Sequence, residues 1–115
     1  MKKIYYLGTC STCVKIINEL KPGDDVEMQD IKKTSITGPQ LTQMKKLAGS
    51  YEALFSRRSM KYRAWGLKEK VLNESDYREL ILKEYTFLKR PVIIAGNVIS
   101  IGNAKAEIDK VRGLI

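Results

Sequence analysis

At 115 residues, with 43% hydrophobic and 30% charged side chains, the chain has the size and composition of one soluble globular domain, long enough to bury roughly two thirds of its unfolded surface. Lys and Arg number 21 against 13 Asp and Glu, a formal charge of +8, yet the basic residues are scattered, so direct nucleic-acid binding is not expected. The absence of histidine excludes Ser-His-Asp and Cys-His nucleophile pairs and His-containing zinc sites, and two cysteines cannot complete a four-thiolate zinc site, so no metal is expected. No apolar run approaches the ~20 residues that span a bilayer, and Met1-Lys2-Lys3-Ile4-Tyr5-Tyr6 lacks the apolar core of a signal peptide. A cytoplasmic location is therefore expected, and there a close cysteine pair serves chemistry more often than lasting cross-linking.

Lys2 to Leu7 reads as a strand covered on both faces, since Ile4, Tyr5, Tyr6 and Leu7 show little alternation. Gly8-Thr9 permits a turn, Ser11 or Thr12 offers an N-cap, and Val14, Ile17 and Leu20 recur on one helical face until Pro22-Gly23. Val26 and Met28, running on to Asp30 and Ile31, form a short second strand. Thr34 to Gly38 is a loop leading to Pro39 as the first helical residue, followed by the stripe Leu41, Met44, Leu47 and Ala48. After a short helix over Tyr51 to Leu54 comes the densest basic stretch, Phe55-Ser56-Arg57-Arg58-Ser59-Met60-Lys61-Tyr62-Arg63. Ala64, Trp65 and Leu67 read as buried anchors beside it. Asn73 caps a further helix with acidic residues in its first turn and Tyr77, Leu80 and Ile81 along it. Val92 to Ala95 and Val98 to Ile101 form a hairpin around Gly96-Asn97, and a last helix carries Ile108 and Val111 inward. The order is β-α-β, a helical insertion over about 34–88, then β-β-α, within a single domain over 1–115.

Cys10-Ser11-Thr12-Cys13 sits at a strand-to-helix junction, where ligands gather in open α/β sheets. Unpaired N–H groups at a helix start favour a thiolate. Cys10, ahead of the helix, is the expected nucleophile, and Cys13, inside its first turn, the resolving thiol that closes a disulfide. Each pKa unit of activation requires ~1.4 kcal/mol, whereas an exposed helix terminus supplies ~0.3–1 kcal/mol. Cations must add to it, and the candidates are Arg57, Arg58, Arg90 and Lys15. Arg90 precedes Pro91 and is therefore biased to extended backbone. Arg57-Arg58, between two serines, could hold an oxyanion through bidentate hydrogen bonds.

Cys-x-x-Cys after a first strand, Ser-Arg-Arg-Ser in a helical insertion, and Lys-Arg-Pro-Val-Ile-Ile before a hairpin together resemble the arsenate reductase/Spx family, over roughly residues 2 to 112. The resemblance implies a thioredoxin-like α/β fold with a central mixed four-stranded sheet. It also implies Cys10 as nucleophile, Arg90 and Arg58 (less directly Arg57) as oxyanion-binding arginines, and Pro91 as the structural turn. Glutathione with glutaredoxin, or thioredoxin, would be the electron donor, with no bound cofactor. The match departs from the reductases at Leu7-Gly8-Thr9, at Val14 and at Ile101-Gly102-Asn103. Cys13 is instead a feature similar to Spx regulators, which implies a second function: redox-switched binding to the C-terminal domain of the RNA polymerase α subunit.

Overall fold

The computed structural model describes all residues 1–115. They fall into two compact units, one formed by Met1–Ser35 with Arg90–Ile115, the other by Ile36–Lys89. The first contains β1 (Lys2–Tyr6), α1 (Ser11–Leu20), β2 (Glu27–Asp30), β3 (Val92–Ala95), β4 (Val98–Ile101) and α5 (Lys105–Val111). The second contains α2 (Gly38–Ala48), α3 (Met60–Ala64) and α4 (Glu74–Lys83), joined by short 3-10 turns. No helix is long and apolar enough to cross a membrane.

The strands form one mixed sheet in the order β2-β1-β3-β4, α/β in class and thioredoxin-like in its element order. β1 and β2 run parallel through α1, and β3 is antiparallel to both β1 and β4. Ile4 stands opposite Ile93, and Ile93 opposite Ser100, so one row crosses three strands. Around it Ile16, Val26, Ala95, Ile108 and Val111 close an apolar core with Ile17 and Leu20 packed at its edge. Ser100 is also fully buried there, and its hydroxyl has no hydrogen-bond partner.

The inner face of α1 differs from the expected Val14-Ile17-Leu20 stripe. Cys13 and Ile16 are its buried positions and Val14 points out at 38% exposure. Both stripes have helical spacing. Cys13, a small apolar side chain when not ionised, takes the place next to the sheet that the periodicity gave to Val14. Val26 precedes β2 rather than forming part of it, and Met28 is exposed on that edge strand.

In the second unit α2 starts from Thr37, whose hydroxyl accepts the Gln40 N–H while the Gln40 side chain accepts the Thr37 N–H. Asn73 and Asp76 make the same reciprocal pair at α4. Both capping boxes satisfy donors a helix start would otherwise leave open. Phe55, Tyr77 and Phe87 form the aromatic centre, with Phe55 and Phe87 stacked at 5.1 Å and Tyr77 4.9 Å from Phe55. Of the expected anchors only Leu67 is buried; Ala64 is exposed and Trp65 is 36% exposed. Trp65 sets its ring against the edge of Phe87 and leaves its faces to Lys61 and Lys83, so a cation-flanked surface position replaces full burial.

Candidate active site

Three chain segments meet at one end of the sheet in the first unit. β1 leads through Leu7 and Gly8 to Cys10, and the Cys10 N–H donates to the Leu7 carbonyl at 3.0 Å. β2 ends alongside at Asp30, paired with Tyr6. β3 pairs Val92 with Tyr5, and Arg90 lies two residues ahead of that pair. The Arg90-Pro91 peptide is cis, and the Pro91 carbonyl accepts the Gly102 N–H at 2.9 Å.

Cys10 is itself the N-cap of α1, with extended backbone at φ −92° and ψ 109°. Neither Ser11 nor Thr12 takes that role, although both are better capping residues. The Cys-x-x-Cys spacing then has a geometric meaning, because from an N-cap at 10 the second cysteine falls at the third helical position. A capping oxygen would receive N–H groups from the second and third positions. The Cys10 side chain makes no full capping hydrogen bond, but the Cys13 and Thr12 N–H groups face its sulfur closely enough to act on its charge. No acidic residue occupies the first turn of α1 to cancel this polarity.

The two thiols are driven apart. Partial burial pushes the Cys10 thiol up, but the Cys13 N–H and thiol, the Thr12 N–H and the Arg90 charge together outweigh it, leaving Cys10 below the ordinary thiol range. Cys13 is pushed up to about 11, first by burial and then by the neighbouring Cys10 sulfur, against the opposing pull of a Leu7 backbone group and Arg90. Both cysteines are free, Cys10 partly accessible and Cys13 buried. The cation acting on both is Arg90. Lys15 is exposed on α1 and is not among the groups that shift either thiol.

The arginine pair of the second unit separates just as clearly. Arg57 Nη2 donates to Glu52 Oε2 at 3.0 Å and to the Tyr77 hydroxyl at 2.9 Å, and the Tyr77 hydroxyl donates to the same carboxylate at 3.3 Å. Its guanidinium also lies 5.9 Å from the Phe55 ring centre. Arg57 is committed to holding its own unit together. The Arg58 backbone N–H donates to the Ser56 hydroxyl, whereas its side chain makes no ion pair or hydrogen bond. The segment is anchored by the Ser56 N–H on the Phe87 carbonyl at 2.7 Å. A groove of about 620 Å³ in this unit, lined by Leu67, Val71, Leu80 and Lys83 among others, contains none of these residues. Volume therefore does not mark the chemistry here; the thiol pair does.

Sequence reasoning passed over the capping role of Cys10 and the ties of Arg57. The first could have been found by counting from Cys10 to the third helical residue. The second depends on Tyr77, twenty residues away, and has no local signal.

A model of the ArsC family matches residues 5–111. Among solved structures, the arsenate reductase of Vibrio cholerae superposes with a TM-score of 0.78 at 14% identity, covering 99% of this chain and 97% of its own. An arsenate reductase (ArsC) related protein from Brucella melitensis gives 0.71 at 25% identity, covering 94% and 91%. No curated protein matches the sequence.

Proposed function

We propose, for a chain that belongs to the ArsC family, a thiol-based reductase in which Cys10 attacks and Cys13 resolves. The observation that supports it is the opposite tuning of two adjacent thiols, one lowered by amides and Arg90, the other raised to about 11 by burial and by its neighbour. Such divergence separates the roles, because the thiolate is the nucleophile.

The Cys10 thiolate attacks an electrophilic centre X, forming a Cys10–X bond and expelling a thiolate when X is a disulfide sulfur, or water when X is the centre of a protonated oxyanion. Its negative charge is thereby lost, and with it one cause of the high Cys13 value. Cys13 then gives up its proton more readily, attacks the Cys10 sulfur, and expels X with the bonding electron pair. Two equivalents of thiol reduce the resulting disulfide and are themselves joined as a disulfide. ArsC proteins draw on donors such as glutaredoxin or thioredoxin, and that class is assigned here. Arg90 holds the anionic substrate beside the thiol, and within the second unit Arg58 is the arginine of its pair whose side chain is left available to bind an oxyanion. Arsenate, the substrate in the name of the Vibrio cholerae protein, is the first to test.

The test pairs arsenate reduction, with glutathione plus glutaredoxin or with thioredoxin, with mass spectrometry of thiol adducts. The Cys13→Ser variant should accumulate an adduct on Cys10. Turnover that survives Cys10→Ser would remove the proposal. A Cys10–Cys13 disulfide without reduction of any substrate would favour the Spx-like switch, read by capture of the RNA polymerase α C-terminal domain in one redox state.

A further inference from the structure

Gly8 lies two residues ahead of Cys10, and its N–H donates to Asp30 Oδ2 at 3.3 Å. The other oxygen of the same carboxylate, Oδ1, accepts the Lys32 N–H at 3.0 Å. Backbone bonds frame this contact: Ile31 N–H to the Tyr6 carbonyl at 2.9 Å, and Cys10 N–H to the Leu7 carbonyl at 3.0 Å. A Cβ on Gly8 would stand 2.6 Å from Asp30 Oδ2 and 3.7 Å from its Cγ. Gly8 is not among the residues with positive φ, so its backbone does not itself demand glycine. A side chain there would push the Asp30 carboxylate off the Gly8 N–H, so the contact depends on glycine even though the backbone does not.

We propose that Asp30 is a positioning residue for Cys10, clamping the Gly8 turn so that the thiol meets the first amides of α1. This rests on the reading of Cys10 as the nucleophile. Asp30 works against electrostatic expectation, since a nearby carboxylate disfavours a thiolate. Its contribution is geometric. Each oxygen accepts one backbone N–H, fixing two turns of the chain relative to each other at the end of the sheet.

Opposite signs make the proposal testable. If Asp30 acted only through charge, removing it would speed Cys10 alkylation; if it clamps the turn, removal slows it. Reduced full-length protein is treated with iodoacetamide, and the Cys10 peptide is followed by mass spectrometry. Asp30→Ala is expected to slow labelling about tenfold, and Asp30→Asn, which keeps one acceptor oxygen, to return it to within about threefold of the parent. Gly8→Ala should also slow labelling about tenfold through the clash, but should have less than about a twofold effect when added to Asp30→Ala, a non-additive cycle. Unfolding in urea establishes that each variant is folded. Labelling unchanged or faster in Asp30→Ala, no recovery in Asp30→Asn, or additive effects of Gly8→Ala would each overturn the proposal. Because alkylation reads the thiol directly, its result is independent of turnover; failure of the reductase reading shows separately, as activity retained in Cys10→Ser.

Discussion

The cysteine turn and the Ser56–Ser59 stretch each carry a pair of like residues, and each pair divides its labour differently. At Cys10 and Cys13 the division is made by depth: one thiol faces helix amides and Arg90, while burial raises the other to about 11. At Arg57 and Arg58 it is made by partners, with Arg57 bound to Glu52 and Tyr77 and the Arg58 side chain left unpaired. Sequence proximity says nothing about which member of a pair is chemically available. Burial decides it for thiols, whose charge is costly to bury. Competing hydrogen bonds decide it for guanidiniums, which stay charged wherever they lie.

The sharpest break in this comparison is removal of the partly accessible thiol. Cys10→Ser should lower thiol-coupled reduction at least about a thousandfold, while Cys13→Ser should retain single-turnover adduct formation. Next is the charge that acts on both thiols. A thiol whose pKa is lowered is reactive above that lowered value, so the Cys10 alkylation midpoint should fall below the ~8.5 of free cysteine. Arg90→Ala should move the midpoint upward, as a pH series with iodoacetamide would show. Between the arginines, Arg57→Ala should cost about 1 kcal/mol in urea unfolding, a modest value because its ion pair is half exposed. Arg58→Ala should stay within about 0.5 kcal/mol and weaken anion binding instead. Equal costs for the two would dissolve the contrast. At the α4 start, away from both pairs, Asn73→Ala should cost about 1 kcal/mol or less in stability, with no change in Cys10 labelling.

Local signals carried most of the fold. The hairpin is bounded at Val92–Ala95 and Val98–Ile101 as expected, because an apolar run and a Gly-Asn turn both act over a few residues. Asn73 and Asp76 likewise announced α4. What failed to show was anything settled by distant partners. Val14 and Cys13 have equally good helical spacing, and only the sheet beneath decides between them. Trp65 looked like core by composition, yet two lysines share its faces. The resemblance named the cysteine and the arginine before proline, but the clamp from Asp30 lies 22 residues from Gly8 and follows no motif.

Ser100 bears on how far this molecule could be improved. Its hydroxyl was taken out of water when the strand packed and received nothing in return. Replacing it with alanine removes an uncompensated polar atom without enlarging a neighbour, so melting temperature should rise rather than fall. Selection that asks only for sufficient stability leaves such positions uncorrected. Ser100 thus offers a stabilised background in which more damaging variants of the cysteine turn would still fold.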